Sequence, residues 1–450
     1  MLHFGTDGIR GDAATQITSD LTVALARAFV RVTGAERVLI ARDGRESGPR
    51  IEDDLAAGFA TEGVECESAG LLPTPGLAVV SRVRYEWAAM ISASHNIWSD
   101  NGIKFFQPGG SKLSDQHQAA IERELQAMLA AGGVAERGAA RPMPLPEARA
   151  LYQAHLIDQI AEGALGGAKV VLDCANGAAS EVAPEVFSES GAQTIVLHAA
   201  PDGRNINVAC GSTHPGAMQR AVIEHGATLG LAFDGDADRV LACNEAGQLV
   251  DGDQIMAIMA IALRERGALA HDAIAVTVMS NLGLRIGLRA HGIELVETPV
   301  GDRHVVAAMQ ERGLVLGGEQ SGHIVFGDRA ATGDGILTGL LLAARVIDTG
   351  RPLSRLAAVM TRLPQVLVNV RVDAPIDLDA ETSVRHVIAD VAAQLGDTGR
   401  VLVRASGTEP LVRVMVEAAT EANAQTAANR IAAVVAAARS ADGSAADQQG

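Results

Sequence analysis

Aromatic residues are scarce in this 450-residue sequence: they make up 3% of positions, whereas hydrophobic residues as a whole make up 48%. The chain can therefore bury large cores, and we expect aliphatic side chains to fill most of them. Domains average about 150 residues, so the length by itself favours roughly three domains.

Cysteine is scarce as well, and its spacing forms no recognisable pattern. The four cysteines, Cys66, Cys174, Cys210 and Cys243, lie far apart and include no Cys-x-x-Cys pair. This arrangement argues against a disulfide framework or a zinc site and is typical of proteins from a reducing cytoplasm.

Long apolar runs, a basic leader and an excess of positive charge are all missing. No apolar run approaches the ~18 residues that cross a bilayer, and residues 1–11 lack the basic-then-apolar order of a secretion signal. The formal net charge of -17 repels nucleic acid and anionic membranes. We therefore expect a cytoplasmic protein with neither partner, in which an anionic substrate needs a local cluster of Arg, Lys, metal and backbone N–H groups.

What the sequence does contain is a repeated order of aliphatic strand, Gly-containing loop and Ala-rich helix. Residues 37–48, 169–180 and 273–285 each begin such a unit, which predicts α/β domains with mostly parallel sheets. From residue 363 the pattern changes to three strands and two helices, an α+β module, followed by a tail at 440–450 that we expect to be disordered. Four domains thus fit better than three, with expected bounds of 1–145, 146–245, 246–362 and 363–450.

The most informative stretch is LGLAFDGDADRVLACNEAG, residues 229–247, where Asp234, Asp236 and Asp238 alternate after an apolar strand. On an extended chain these carboxylates point to one face, where they repel one another unless a cation lies among them. Such oxygen ligands suit Mg²⁺ or Ca²⁺. An EF-hand is excluded because Arg239 occupies the position that requires Gly, and an acidic surface hairpin remains the alternative.

A second stretch, MISASHNIWSDNGIKFF at 90–106, ends an apolar run with Ser, His and Asn. A surface turn explains these residue types, but so does a phosphoryl carrier at the mouth of a sheet. A phosphorylated Ser94 would supply an oxygen that three aspartates leave missing from an octahedral Mg²⁺ shell. Lys104 would then balance the charge.

A third stretch, VLVRASGTEPLVRVMVE at 401–417, places a small polar turn between two strands. Arg404 and Arg413 offer forked donors for a phosphate, and the turn leaves backbone N–H groups free to bind an anion. Its small residues are Ser406, Gly407 and Thr408. An ordinary β-hairpin turn is the alternative.

Two further loops are weaker signals when taken alone. GGEQSGHI, residues 317–324, combines Glu319, Ser321 and His323, and a glutamate can accept hydrogen bonds from both hydroxyls of a sugar diol. Glycine-flanked arginines occur at Arg10 and in ARDGRESG, residues 41–48. A plain surface loop explains each of them equally well.

Together these loops resemble the α-D-phosphohexomutase family, whose four signatures occur in the same order. They are Ser94-His95-Asn96, Asp234-Gly235-Asp236-Ala237-Asp238-Arg239, Gly318-Glu319-Gln320-Ser321-Gly322-His323 and Arg404-Ala405-Ser406-Gly407-Thr408-Glu409-Pro410. The resemblance covers about residues 4–435 and is greatest to the members that act on amino sugar phosphates. Its subfamily hints are FGTDGIRG at 4–11, PDGRNINVACGSTHP at 201–215 and VGDRHVVAAM at 300–309.

The resemblance implies three related α/β domains with mixed sheets and a C-terminal α+β domain around a central cleft. It implies an isomerase that moves a phosphoryl group through a phosphoserine, with one Mg²⁺ per chain and a hexose 1,6-bisphosphate as activator. The expected catalytic residues are Ser94, Lys104, Arg10 and His95, and the expected metal ligands are the Ser94 phosphate, Asp234, Asp236 and Asp238. The expected substrate-binding residues are Arg239, Asp302, Arg303, Glu319, Ser321, His323, Arg404, Ser406, Gly407, Thr408 and Arg413.

Several alternatives stay open at this point. A mutase for glucose or mannose phosphates would share the fold, and a non-catalytic binder of sugar phosphate or Ca²⁺ is the alternative outside the enzymes. The chain could be a monomer or a homodimer. One departure from the family is Ile97-Trp98-Ser99 where Pro usually follows Asn96. Losing Pro frees φ and restores an N–H, so we expect a more mobile loop.

Overall fold

The computed structural model describes residues 8–131, 140–372, 377–378, 380–405 and 411–445, with only the backbone of 439–445. Its first part is a six-stranded mixed sheet. Its strand order is β1-β5-β4-β2-β3-β6. The elements are β1 (Ile9–Asp12), α1 (Ser19–Thr33), β2 (Arg37–Arg42), α2 (Gly48–Thr61), β3 (Glu65–Leu71), α3 (Thr74–Arg84), β4 (Trp87–Ile91), β5 (Asp100–Phe106), α4 (Asp115–Ala130) and β6 (Met143–Pro144). β4 runs parallel to β2 but antiparallel to β5, so the loop between β4 and β5 lies at the carboxyl end of β4.

The core of this first sheet gathers several of the few aromatic residues. Phe29 stacks on Phe105 with ring centroids 4.2 Å apart and meets Trp87 edge-on at 5.5 Å. Aliphatic side chains such as Ile40 and Leu55 fill most of the remaining core. The expected aliphatic interior is therefore correct for most positions, while this core also contains an aromatic centre.

The second sheet has the order β11-β10-β9-β7-β8. Its elements are α5 (Ala148–Ile157), β7 (Lys169–Asp173), α6 (Ala179–Glu189), β8 (Gln193–Leu197), α7 (Gly216–His225), β9 (Leu229–Phe233), β10 (Val240–Asn244) and β11 (Leu249–Val250). β7 is parallel to both β8 and β9, whereas β9 and β10 form an antiparallel hairpin. The apolar strand predicted before the aspartate motif is thus confirmed as β9, and β10 follows the motif.

The third sheet has the order β13-β12-β14-β15, with β12 parallel to β13 and β14. Its elements are α8 (Gly252–Glu265), β12 (Ala273–Thr277), α9 (Leu282–Ala290), β13 (Glu294–Thr298), α10 (Asp302–Arg312), β14 (Leu316–Gly318), β15 (Ile324–Phe326), α11 (Gly335–Thr349) and α12 (Leu353–Ala357), with a short 3₁₀ helix at Ala270–Asp272. All three α/β sheets contain antiparallel pairs beside their parallel ones, which confirms the expected mixed sheets.

The C-terminal module is an antiparallel three-stranded sheet in the order β16-β18-β17. It comprises β16 (Gln365–Arg371), α13 (Thr382–Leu395), a 3₁₀ helix at Gly396–Thr398, β17 (Arg400–Ala405), β18 (Leu411–Glu417) and α14 (Glu421–Ala445). The predicted α+β pattern is confirmed. The prediction of a disordered tail from 440 is wrong for 440–445, because the helical backbone continues there; residues 446–450 lie outside the described residues.

The chain divides into two compact units: Met1–Ser280 with His291–Val359, and Asn281–Ala290 with Met360–Gly450. Helix α9 belongs to the second unit, where the buried Glu417 binds its N-terminal end. This carboxylate accepts hydrogen bonds from the backbone N–H of Leu282 (3.0 Å), from Asn281 Nδ2 (3.2 Å) and from Arg400 Nε (3.1 Å). Segment 281–290 therefore packs with a module that begins some 70 residues later.

Candidate active site

The loop between β4 and β5 presents Ser94 in an unusual backbone conformation. Ser94 has φ 51°, in the left-handed region that few non-glycine residues adopt. Its N–H donates to Ser92 Oγ (2.9 Å), and Ser92 Oγ donates in turn to Asp43 Oδ2 (2.7 Å). These contacts direct the Ser94 hydroxyl towards Asp234, whose Oδ2 accepts its hydrogen bond.

A fully buried arginine holds the backbone of this loop. Arg45 Nε donates to Asp43 Oδ2 (2.9 Å), and neither side chain is exposed to solvent. The guanidinium donates to four loop carbonyls, those of Ser94, Asn96, Ile97 and Asp100. A planar fork with five donors suits this task, because no other side chain can satisfy as many acceptors at once.

The second sheet contributes a further clamp on the same loop. Asn207 Nδ2 donates to the carbonyls of Ser94 (2.9 Å) and Asn96 (3.1 Å). A Cβ at Gly235 would lie 2.5 Å from the Ser94 carbonyl oxygen, so the loop approaches the aspartate motif as closely as glycine permits. The loop that lacks the usual Pro is also contacted at Trp98, where the Arg204 guanidinium lies 5.1 Å from the ring centroid.

The three aspartates of the second motif converge, although not for the expected reason. Residues 234–239 form turns rather than an extended strand, and Ala237 has φ 57°. The alternation on one face of a strand is therefore wrong as an explanation. The turn itself brings oxygens of Asp234, Asp236 and Asp238 to within 4.8 Å of one another, and all three are buried.

The charge of this cluster is only partly compensated by neighbouring side chains. Lys104 Nζ lies 2.8 Å from Asp236 Oδ2 and 3.6 Å from Asp238 Oδ2. Burial, together with Asp238 and Asp236, raises the pKa of Asp234 well above its ordinary value. Asp238 Oδ1 is buried and has no hydrogen-bond partner among the described residues. A divalent cation with a preference for oxygen ligands would relieve both the repulsion and this unsatisfied atom.

His95 and Arg239 lie beside this cluster. His95 Nδ1 is 3.3 Å from Arg239 Nη1. Burial, followed by the positive charges of Arg239 and Arg10, lowers the pKa of His95. The imidazole is therefore neutral at neutral pH, and it can accept or donate a hydrogen bond without adding charge. Arg10 lies on β1, paired in register with Gly102 of β5.

The loop at 317–324, expected to bind the sugar, lies in the first compact unit as well. Glu319 Oε1 accepts the N–H of Gly301 (3.1 Å), and Ser321 Oγ lies 3.3 Å from Glu319 Oε2. Burial lowers the pKa of Arg239, but the negative charges of Asp238, Asp234 and Glu319 together raise it above its ordinary value. Electrostatic coupling thus joins Glu319 to the aspartate motif.

Asp302 and Arg303 have protein partners that the sequence did not indicate. Lys112 forms an ion pair with Asp302, and His323 Nε2 lies 3.7 Å from the same carboxylate. Arg303 pairs with Asp115 (2.9 Å) and donates its backbone N–H to Asp302 Oδ1 (2.7 Å). A cation of the protein, Lys112, therefore already faces the Asp302 carboxylate.

The loop between β17 and β18, expected to bind a phosphate, belongs to the second compact unit. The structure describes only the two strands that flank it. Ser406, Gly407 and Thr408 lie outside the described residues. Arg404 of β17 is directly opposite Arg413 of β18. The register thus places two positively charged residues opposite each other at the base of this loop.

Comparison with known proteins identifies the family. Models described as phosphoglucomutase/phosphomannomutase alpha/beta/alpha domains I, II and III match residues 1–131, 150–247 and 251–363, and the model of the C-terminal domain matches 367–434. The chain belongs to the phosphoglucomutase/phosphomannomutase family, the α-D-phosphohexomutases.

Among its relatives, two bacterial phosphoglucosamine mutases are similar over nearly their whole length. The Arthrobacter sp. protein is 49% identical, covering 96% of this chain and 97% of the relative. The Saccharopolyspora erythraea protein is 50% identical, covering 97% and 99%. A solved phosphoglucomutase/phosphomannomutase family protein from Burkholderia thailandensis has a TM-score of 0.79 at 25% identity, covering 96% of this chain and 97% of its own.

The fold also matches a eukaryotic enzyme solved with ligands. The Aspergillus fumigatus N-acetylphosphoglucosamine mutase, in complex with GlcNAc-6P and magnesium, has a TM-score of 0.68 at 19% identity, covering 98% of this chain and 96% of its own. In the part of this chain that the structure describes, every helix is too short or too polar to cross a membrane.

Sequence reasoning missed the residues that hold the reactive groups in place. Arg45 stood out only as one of several glycine-flanked arginines, and Asn207 only as part of a subfamily motif. Thr74 gave no signal, yet its hydroxyl donates to Asp236 Oδ2 (2.6 Å) and its N–H donates to the Asp236 carbonyl (3.0 Å). These residues act through contacts across more than 40 positions of sequence, which a local motif does not show.

Proposed function

We propose that this chain is a phosphoglucosamine mutase, which interconverts glucosamine 6-phosphate and glucosamine 1-phosphate and so supplies UDP-N-acetylglucosamine synthesis and peptidoglycan precursors. The observation that carries the reaction type is the Ser94 hydroxyl hydrogen-bonded to Asp234 inside a buried cluster of three carboxylates. The amino sugar is favoured by the relatives named phosphoglucosamine mutase at 49% and 50% identity.

The donor set of the cluster fits Mg²⁺, held by Asp234, Asp236 and Asp238 with the Ser94 phosphate. When bound, the ion offsets negative charge on the transferring phosphoryl group. Around it, Arg45 and Asn207 keep the Ser94 backbone fixed against the aspartate turn. The position of the phosphoserine is therefore determined before substrate arrives, which favours in-line transfer.

Phospho-Ser94 donates its phosphoryl group to the free hydroxyl of the substrate: the bond from phosphorus to Ser94 Oγ breaks as a bond to the sugar oxygen forms. The proton lost by the sugar hydroxyl is balanced by the proton that Ser94 Oγ gains as it becomes a free hydroxyl. The product of this step is glucosamine 1,6-bisphosphate. Because there is one serine carrier, the intermediate must reorient in the site so that its other phosphate is transferred back to Ser94. Hexose 1,6-bisphosphate acts as activator because it phosphorylates a dephosphorylated Ser94.

Lys104 and the substrate loops take supporting roles in this proposal. Lys104 Nζ lies 2.8 Å from Asp236 Oδ2, which supports charge balance within the metal cluster as its catalytic role. Arg10, His95 and Arg239 bind the reacting phosphoryl group, with His95 neutral as a hydrogen-bonding partner. The sugar hydroxyls contact Glu319, Ser321 and His323. Asp302 and Arg303 shape the loop beside them, and Arg404, Ser406, Gly407, Thr408 and Arg413 bind the phosphate that does not react.

The same proposal includes four domains, at 1–145, 146–245, 246–362 and 363–450, and a monomer or homodimer with no nucleic-acid or membrane partner. We infer a cytoplasmic location, which is supported by the four cysteines being buried free thiols. In the oxidising compartments outside the cytoplasm, structural disulfides are the more frequent use of cysteine.

The test is turnover of three sugar phosphates by the phosphorylated protein with Mg²⁺ and a trace of glucose 1,6-bisphosphate. We expect kcat/KM to be highest for glucosamine phosphate, and Ser94→Ala to be nearly inactive on all three. A higher kcat/KM on glucose or mannose phosphate would show that the chain is a phosphoglucomutase or phosphomannomutase instead. No turnover of any sugar would favour the non-catalytic binder.

A further inference from the structure

A second cluster of ligand-type side chains lies at the carboxyl edge of the second sheet, and the proposed reaction does not use it. Asp173 is the last residue of β7, His198 directly follows β8, and Cys210 lies in the segment 201–215. One oxygen, one nitrogen and one sulfur atom from these residues lie within 4.8 Å of one another. Positions 173, 198 and 210 thus meet in space although no sequence motif joins them.

Two buried atoms of this cluster lack hydrogen bonds. Asp173 is fully buried, and its Oδ2 has no hydrogen-bond partner within the described ranges. His198 Nδ1 lies 3.0 Å from Asp173 Oδ1, but the two are not aligned as a hydrogen bond, and Nδ1 has no other partner among the described residues. Leaving a buried carboxylate oxygen without a partner is costly, because the oxygen has lost its hydrogen bonds to water. A bound cation would remove that cost.

We propose that Asp173, His198 and Cys210 form a second metal site, which takes a borderline-soft divalent cation such as Zn²⁺. Carboxylate, imidazole and thiolate are the three side-chain ligands of zinc in proteins, whereas Mg²⁺ prefers an all-oxygen set. Zinc bonds of about 2.0–2.3 Å place tetrahedral ligand atoms roughly 3.3–3.7 Å apart. The cluster, with atoms between 3.0 and 4.8 Å, approaches that spacing before any metal binds.

The exposure of the three side chains indicates an open fourth position. Asp173 and Cys210 are fully buried, whereas the His198 side chain is 32% exposed. A water molecule can therefore reach the ion from the His198 side. Because a thiol binds a metal ion as its thiolate, binding a cation here releases the proton of Cys210.

A metal at this site would restrain segment 201–215, whose Asn207 donates a hydrogen bond to the Ser94 loop. Asn207, three residues before Cys210, donates its N–H to the Ala175 carbonyl (2.9 Å) and its side chain to the Ser94 carbonyl. Asn176 donates its N–H to the His198 carbonyl (2.6 Å). A metal bound to Cys210 and Asp173 would thus fix both ends of the connection that positions Asn207.

Cobalt is the probe that distinguishes this site from the aspartate cluster, because only a thiolate ligand gives Co²⁺ a near-ultraviolet charge-transfer band. We expect the full chain, stripped of metal and reduced, to develop that band on titration with Co²⁺ and to lose it when Zn²⁺ is added in equal amount. Cys210→Ser removes the band. His198→Ala removes a direct ligand, so it weakens cobalt binding strongly. Residues that only hydrogen-bond to a ligand contribute roughly 10–100-fold to metal affinity, and we expect a larger loss here.

Two control variants keep the band if the assignment is right. Cys66→Ser removes a buried thiol of the first sheet, and Asp236→Asn removes a ligand of the all-oxygen cluster. Absence of the band in the wild-type protein with excess Co²⁺ would overturn the proposal without any variant. So would a band that survives in folded Cys210→Ser, with folding checked by circular dichroism.

Discussion

At the scale of single residues, the position of Ser94, the proposed phosphoserine, depends on one buried arginine. Arg45 neutralises Asp43 and donates to four carbonyls of the loop that contains Ser94. Unpaired buried carbonyls and an unpaired buried carboxylate are both costly. The left-handed conformation of Ser94 is therefore retained because the surrounding contacts outweigh its strain.

Arg45→Lys tests this dependence. Lysine keeps the charge next to Asp43 but replaces the planar fork by a single ammonium, so some loop carbonyls lose their partners. We expect the free energy of unfolding to fall by about 1–3 kcal/mol and kcat to fall at least tenfold. Urea unfolding and steady-state kinetics measure the two effects.

Arg42→Lys is the matched control for that variant. Arg42 is the last residue of β2, three positions before Arg45, and pairs with Glu52, but its side chain is 27% exposed. Solvent compensates for a lost contact there, so both stability and kcat are expected to stay close to wild type. Equal behaviour of the two variants would contradict the special role of Arg45.

Asp236→Asn tests the metal cluster at the same scale. The change removes one negative charge from the three, so affinity for Mg²⁺ is expected to fall by about tenfold or more, because ligand charge sets affinity. Phosphoryl transfer should fall with it. Calorimetric titration with Mg²⁺ measures the affinity, with the exposed Glu46→Gln as control. Unchanged Mg²⁺ affinity in Asp236→Asn would rule out this cluster as the metal site.

At the scale of elements, the functional groups lie where strands or helices end. Ser94 follows β4, Asp234 follows β9 and Asp173 ends β7. Helix α11 begins at another buried carboxylate, Asp334, which caps the helix by accepting the Leu337 N–H (2.9 Å). The hydroxyl of Tyr152 on α5 donates to the same carboxylate (2.9 Å), so this cap also joins two helices.

Asp334 should make stability depend on pH. Burial raises the pKa of Asp334 from its ordinary 3.8 to about 7. Between these values the unfolded chain is ionised while the folded chain keeps its proton. Stability therefore falls as pH rises from about 4 to 7, by up to roughly 4 kcal/mol.

Asp334→Asn isolates this contribution, because asparagine also caps helices but does not titrate. We expect unfolding in urea to show a smaller loss of stability between pH 4 and 7 in Asp334→Asn than in the wild-type protein. A difference between the two proteins that is constant with pH would contradict the raised pKa.

The facing arginines of β17 and β18 supply a second prediction at this scale. Arg404→Ala removes one of two like charges that are opposite in register, so the sheet itself should not be destabilised. If the pair holds the non-reacting phosphate, kcat/KM falls by a factor of at least 100, because remote binding energy positions the reacting centre. Phosphorylation of Ser94 by an activated donor should remain possible. Wild-type kcat/KM in Arg404→Ala would exclude this role.

At the scale of the whole molecule, one phosphoserine has to serve both ends of the sugar. A protein with a net charge of -17 attracts a doubly phosphorylated intermediate only through local cations and N–H groups. Dephosphorylated wild-type protein should therefore be inactive alone and regain full activity with catalytic amounts of glucose 1,6-bisphosphate. Ser94→Ala should not respond to the same addition. Activity of dephosphorylated protein without the activator would contradict the phosphoserine cycle.

The sequence by itself determined the family, the four types of loop and the order of strands and helices. These follow from local patterns: aliphatic runs predict strands, and glycine with small polar residues predicts the loops that follow them. The C-terminal module is an example: three strands and two helices were predicted from residue 363, and the structure has β16, β17 and β18 with α13 and α14. The tail predicted from residue 440 was wrong at its start, because α14 continues past Gly443, a residue type that often ends helices, to Ala445.

Only the tertiary structure decided which residues hold the site together. The aspartates converge because Ala237 turns the chain, and Asp302 is neutralised by Lys112 from 190 positions away. Cys210 seemed an isolated thiol in the sequence, yet it meets Asp173 and His198 where two parallel strands end. The physical reason is the same in each case: charge compensation and ligand geometry depend on distances across sheets, and these distances are set by packing rather than by spacing along the chain.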